Sequence, residues 1–232
     1  MGHYMYCRYY RVDATLPFFI PFPLGFGTLG AVIRIRSPFP NRKALFDIGA
    51  GGPFAGFLVC LPVVYFGIHE AIVEPIGMGE GIPIGVPPLL EIAFGLLRGA
   101  VPDGMAIQFG PIGTAAWFGL FMTSLNLMPI GQLDGGHVSY SLLPRWAPTI
   151  SRVASWVCVG LIYFGPNWIV WSILVRVLGR RHPPTLDDRA PAGRARAWLG
   201  VLSLVVFALC FVPNPIVMSW SDLFDALREL FT

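Results

Sequence analysis

The 232 residues are 55% hydrophobic and only 12% charged, with a mean hydropathy of +0.65. Soluble domains carry about 25% charged residues, so this composition excludes an ordinary soluble domain and implies a membrane. The formal net charge is only +3, and the arginines flank apolar runs without forming a basic face, which excludes a nucleic-acid partner.

In chain order, the opening Met1-Gly2-His3-Tyr4-Met5-Tyr6-Cys7-Arg8 has no long apolar run before a small-residue cleavage site, so no secretory leader is read here. The Met1-Gly2 start lacks the Ser or Thr that myristoylation requires. Residues 14–33 are apolar, but Pro17, Pro21 and Pro23 followed by Gly25, Gly27 and Gly30 exclude a regular helix. Short strands or a re-entrant loop remain. Irregular backbone at membrane depth survives only when buried in protein or lining a wet cavity, so the segment reads either as a cleft wall or as a loop lying on the membrane.

A helical span needs about 20 mostly apolar residues. The candidates are 48–67, 113–130, 153–179 and 196–213. The third is too long for one simple crossing and carries Gly165-Pro166-Asn167 near its middle. It forms either a bent helix or a hairpin of two short arms. Assigning residues 1–13 and 34–47 to the cytoplasm, and taking the hairpin, puts every basic residue except Arg98 and Arg228 on the cytoplasmic side. The opposite side then collects Glu70, Glu74, Glu80, Glu91, Asp103, Asp222, Asp225 and Glu229. A single bent helix would reverse the arginines at 176–196, so the charge pattern favours the hairpin. Segment 181–195 is a polar, Pro-rich linker, and Trp220, Leu223, Phe224, Leu227 and Leu230 give the tail at 219–231 the spacing of a short amphipathic helix. That helix lies at the interface or packs on the bundle.

Cys7, Cys60, Cys158 and Cys210 are far apart and form no C-x-x-C pair, which excludes a disulfide framework and a cysteine metal site. The chemically informative stretch runs from Asn126 through Pro129 to Leu133-Asp134-Gly135-Gly136, at the end of an apolar run. A carboxylate inside a membrane segment is costly and is a functional hypothesis by default. The structural alternative is a helix end with Asp134 as a cap; residue types alone leave the two readings balanced.

The pattern N-x-x-P-x-x-x-L-D-G resembles the second signature of the site-2 protease family of intramembrane zinc metalloproteases. A second stretch, Asp47-Ile-Gly49-Ala-Gly51-Gly52-Pro53-Phe-Ala-Gly56, looks like the family's glycine-rich G-P-x-A-G helix opening, which physically reads as close helix packing. The start of the chain looks like the family's H-E-x-x-H signature with its first His and Glu removed, so that His3 stands at the second His. On this resemblance the chain is expected to begin inside its zinc motif and to lack the general-base Glu. The resemblance implies Zn2+ as cofactor, His3 and Asp134 as metal ligands, and Asn126, Pro129 and Gly135 as residues that position substrate or motif. His69-Glu70 has no His at the fifth position and falls on the acidic outer side; His137 is read as packing or interfacial, and His182 as solvated.

The expected architecture is an all-α polytopic membrane protein. It is a bundle of transmembrane helices with a small β-like re-entrant insert, in which 1–180 form the metalloprotease core and 181–232 the linker, a further span and the amphipathic end. The implied activity is hydrolysis of peptide bonds in membrane-spanning segments of other proteins, in a bacterial cytoplasmic membrane, with membrane-protein substrate and lipid bilayer as partners. A non-catalytic relative that binds client transmembrane helices is the alternative. A transporter would show paired broken helices or repeats, and none is seen.

Overall fold

A computed structural model describes residues 1–21, 28–77, 83–178, 184–217, 219–221, 223 and 228, and among them eight α-helices and four short strands are delimited. The helices are α1 Gly2–Tyr9, α2 Arg42–Glu70, α3 Pro88–Arg98, α4 Pro111–Leu127, α5 Asp134–Leu142, α6 Ala147–Gly160, α7 Trp168–Leu178 and α8 Arg194–Cys210. The strands, β1 Phe18–Pro21, β2 Thr28–Val32, β3 Ile72–Pro75 and β4 Met105–Gln108, form two antiparallel pairs.

Helix α2 is the axis. Asn41 caps it by accepting a hydrogen bond from Ala44 N at 2.9 Å. Among the described residues it is the one helix long and apolar enough to cross a membrane, at 29 residues. Helices α4 and α8 have 17 residues each, and α6 and α7 have 14 and 11. The 17 residues of α4 and α8 stand at the short end of the range of about 17–25 for a crossing, so among the described residues α2 alone has the full length.

Small residues set the pairing of α2 with α4. A Cβ on Gly67 would meet the Gly113 backbone at 2.6 Å, one on Gly119 would meet Cys60 Sγ at 2.5 Å, and one on Gly56 would lie 3.8 Å from Thr123 Oγ1. Those contacts run in opposite senses along the two helices, so α4 returns antiparallel to α2 and delivers its C-terminus to the start of α2. Without side chains in between, backbones approach closely, as in membrane helix pairs. Helix α8 joins the same face, with Val206 and Cys210 buried in the cluster that holds Val64, Ile68, Ala116 and Leu120.

Gly165-Pro166-Asn167 does break the long apolar run, between a 3-10 turn at Leu161–Tyr163 and α7. Ser172 Oγ donates to Cys158 O at 3.0 Å, tying the two arms together, and Trp168 Nε1 donates to Pro213 O at 2.6 Å. The arms pack as a hairpin.

The insert is a β-hairpin. Phe18 pairs with Val32 and Phe19 with Ala31, with an irregularity before the Pro21–Thr28 pair. The ladder continues outward through an Ala14–Ile35 bridge. Pro23, Gly25 and Gly27 lie outside the described residues, as do Glu80, Arg180, Arg181, His182 and most of the expected tail helix (Asp222, Phe224, Asp225, Leu227, Glu229, Leu230). The described part of the polar, Pro-rich linker is docked: Leu186 N and Asp187 N donate to Phe39 O and Pro40 O, and Tyr140 Oη donates to Asp188 Oδ2 at 2.8 Å.

Candidate metal centre

Helix α1 is short, and a helix of eight residues is marginal on its own. Tertiary contact holds it. Cys7 is fully buried with Val12 and Ile48, and Gly2 sits so close to the Gly51 carbonyl of α2 that a Cβ would overlap it. This contact lays the first turn of α1 on the glycine-rich start of α2.

His3 projects into that contact. Its Nδ1 lies 2.7 Å from Ile48 O, an oxygen that can only accept, so Nδ1 carries the proton. The other ring nitrogen, Nε2, faces Asp134 Oδ2 at 3.3 Å. Both side chains are largely covered, at 25% and 17% exposure. A tetrahedral ion bonded to nitrogen and oxygen at about 2.0–2.2 Å would separate the two donors by roughly 3.3–3.5 Å. The pair therefore fits a zinc ion in both spacing and donor type, with the Nδ1 contact holding the ring's orientation.

Asp134 is the first residue of α5, one place after its N-cap Leu133, and its carboxylate is turned toward His3. Pro129 follows the end of α4, and Gly131 adopts φ 49°, a left-handed turn that glycine tolerates. Gly135 is obligatory in a different sense. A Cβ there would overlap Leu127 O and crowd Met128 O, so only glycine lets α5 begin against the chain leaving α4. Asn126 lies in the last turn of α4, half-buried.

Other sequence-flagged residues lie elsewhere. Glu70 Oε2 accepts from Ile112 N at 3.1 Å, an anion at the start of α4. His69 stacks edge-on against Tyr65 with ring centroids 4.6 Å apart. Seventeen residues of helix separate His69 from Gly52, roughly 26 Å at 1.5 Å per residue. Glu70→Ala should therefore cost about 0.3–1 kcal/mol of stability, and His69→Ala should leave zinc content unchanged. Thermal unfolding and metal analysis of the two variants check this. His137 packs on Phe39, with ring centroids 5.7 Å apart, and its Cβ fills the space opposite Gly49. Among the described residues no group of three His, Cys, Asp or Glu side chains is placed to hold a metal ion.

Two features were not foreseen. The first is the Ile48 carbonyl, a backbone group that no side-chain pattern marks. The second is an ion-pair network just beneath it. Arg196 grips Asp47 with Nε to Oδ1 at 2.8 Å and Nη2 to Oδ2 at 2.6 Å, and Tyr10 Oη donates to the same Oδ2 at 2.5 Å. Beside these elements an apolar cleft of about 530 Å³ opens between α1, α2 and α8, lined by Met5, Tyr6, Tyr9, Phe54, Leu58 and Leu199 among others.

The sequence model of peptidase family M50 matches residues 1–164, which include His3, the glycine-rich start of α2, and Asp134. The chain belongs to peptidase family M50. That family is membrane-embedded. The curated protein "Probable zinc metalloprotease EGY2, chloroplastic" of Arabidopsis thaliana is 28% identical over 227 residues, covering 96% of this chain and 40% of its own length. "Probable zinc metalloprotease EGY1, chloroplastic" of Oryza sativa subsp. japonica is 26% identical, covering 98% and 39%. "Probable zinc metalloprotease EGY3, chloroplastic" of Oryza sativa subsp. indica is 28% identical, covering 81% and 35%. This M50 chain thus spans about two fifths of the length of these relatives. They are chloroplastic plant proteins, so the expected bacterial cytoplasmic membrane finds no support in them. No solved structure matches the chain.

Proposed function

We propose that this M50 chain is the core of an intramembrane zinc metalloendopeptidase, with His3 and Asp134 as two of its zinc ligands. The observation that supports this is the 3.3 Å approach of His3 Nε2 to Asp134 Oδ2, with Nδ1 held on the Ile48 carbonyl. Zinc, the cofactor implied by the family and by the relatives' names, supplies Lewis acidity toward water and a scissile carbonyl when bound.

The chain's own residues do the rest of the positioning. The proton on Nδ1 leaves the Nε2 lone pair free for the metal, and the Asp134 carboxylate balances part of its charge. Asn126, Pro129 and Gly135 hold the turn from which Asp134 projects. The substrate is a membrane-spanning segment of another protein, locally extended; the edge of β1 offers backbone groups to such a chain by strand addition. In the membrane, α4, the α6–α7 hairpin and α8 join α2 as a multi-pass bundle, with residues 1–13 and 34–47 on the cytoplasmic side.

A second reading, a non-catalytic relative that holds client helices, is favoured by one observation. Glu70 and Glu74 sit at the end of α2 remote from His3, so neither serves His3 as a general base.

Zinc retention tests the ligand assignment. The chain, prefixed with His-Glu ahead of Met1 and purified in detergent, should hold one equivalent of zinc. His3→Ala and Asp134→Ala should each lose it while His69→Ala keeps it. Retention of a full equivalent by either of the first two variants sinks the assignment.

A further inference from the structure

We propose that Asp47, Arg196 and Tyr10 are positioning residues of the metal centre, and that the start of α8 is thereby a working part of it. The proposal rests on the zinc reading above. Residues 194–210 lie beyond the stretch matched by the family model, yet Arg196 reaches back to the two elements that set the His3 ring.

Four contacts converge there. Arg196 binds Asp47 through two parallel hydrogen bonds, at 2.8 and 2.6 Å, a geometry that fixes both planes. Its Nη1 donates to Ala192 O at 3.2 Å, which fixes the guanidinium on its own segment. Its Nη2 also lies 3.2 Å from Tyr10 Oη, and Tyr10 Oη donates to Asp47. The ion pair is well covered, at 23% and 13% exposure for Arg196 and Asp47.

The consequence for His3 is geometric. Asp47 is covalently joined to Ile48, whose carbonyl receives the His3 Nδ1 proton. Pinning the Asp47 side chain therefore pins the peptide that orients the imidazole. Tyr10 is the C-cap of α1, so its bond to Asp47 fixes the far end of α1, while the Gly2–Gly51 contact fixes the near end. The Tyr10 bond adds to the Gly2 and Cys7 contacts a polar anchor at the C-terminal end of α1; without it that end can shift and carry His3 away from Asp134. The segment leading into α8 braces α2 and α5 in the same way. Arg42 Nε donates to Ala190 O at 3.0 Å, and Tyr140 of α5 donates to Asp188. Residues 188–196 thus touch each of the three helices that build the half-site.

Outer-shell partners of metal ligands typically carry 10–100-fold in metal affinity. Zinc titrations on the purified 232-residue chain, and in parallel on the chain with His-Glu ahead of Met1, should show Arg196→Gln and Asp47→Asn weakening zinc binding about tenfold. Arg196→Lys, which keeps the charge but loses the paired geometry, should fall between these and the parent. Tyr10→Phe removes one hydroxyl and decides the matter if the charge variants do not fold; it should weaken zinc binding several-fold with the helices intact by circular dichroism. Trp168→Phe, which cuts the bond to Pro213 at the hairpin tip, serves as a control for general destabilisation. A drop in melting temperature without loss of zinc in Trp168→Phe, beside loss of zinc in the Arg196 and Asp47 variants, supports positioning. Unchanged affinity in all brace variants, or an equal loss in the Trp168 control, overturns the proposal. If the parent chains bind no zinc, the metal reading itself fails and the proposal falls with it.

Discussion

The 232 residues alone are expected to cleave no peptide bonds, and adding His-Glu directly ahead of Met1 is expected to give chelator-sensitive cleavage. Helix geometry is already established at this end, because Met5 N donates to Met1 O at 3.0 Å. Two added residues continue that helix by about 3 Å. The added His then stands four residues before His3, one turn away on the same face, with Cβ atoms roughly 5–6 Å apart. The added Glu, three residues before His3, supplies the carboxylate that can accept a proton from water. General acid–base assistance alone is typically worth about 10²–10⁴-fold, and a third ligand adds to it by retaining the metal. The assay follows cleavage of a transmembrane test substrate in detergent, with and without chelator. Robust cleavage by the 232 residues alone would mean that other residues carry the chemistry. Inactivity of the extended chain, with zinc absent, would favour the non-catalytic relative.

Gly52→Ala is expected to abolish zinc binding without unfolding the chain. A Cβ at Gly52 would overlap His3 Nε2, the atom turned toward Asp134. The obstacle is the far end of a side chain, so the ring can rotate aside at small cost. In doing so it abandons both Ile48 O and Asp134. Within α2 the same substitution gains roughly 0.5–1 kcal/mol, because alanine suits a helix interior better than glycine. Stability and metal affinity should therefore move in opposite directions. Gly2→Ala should behave differently. Its Cβ meets backbone at Gly51, which cannot rotate away, so α1 must lift and about 1–3 kcal/mol of packing is lost. Thermal unfolding and zinc titration of both variants separate the two cases; zinc affinity within twofold of the parent in Gly52→Ala would contradict the placement of His3.

Local signals carried much of this from the sequence. Apolar runs marked α2, α4 and α8 because burying a continuous apolar stretch needs no partner to be specified. Gly165-Pro166-Asn167 marked the hairpin tip because proline and glycine act on their own backbone. The approach of His3 to Asp134 rested on resemblance to a known signature, since 131 residues separate the two and no periodicity links them. What sequence could not place depends on non-local pairing. Strands β3 and β4 are separated by the whole of α3, so nothing short-range announces their ladder. Arg196 and Asp47 are 149 residues apart, and an arginine at the head of an apolar run reads as a topology signal before it reads as a partner. Asp47 did offer a hint, a carboxylate at the edge of an apolar span. In sequence it stands at the head of the glycine-rich packing motif, and nothing short-range names its partner. Apolar runs and helices differ in length for a related reason. Apolar residues beyond a helix end, such as those at 128–130 and 211–213, continue the hydropathy run but not the helix.

The coordination shell of zinc in the extended chain tests the central claim most directly. X-ray absorption at the zinc edge should give only nitrogen and oxygen neighbours at about 2.0–2.2 Å, with imidazole scattering, and one oxygen fewer in Asp134→Asn. A sulfur neighbour at about 2.3 Å, or a spectrum unaltered by substitutions at both His3 and Asp134, would place the metal elsewhere and contradict the account.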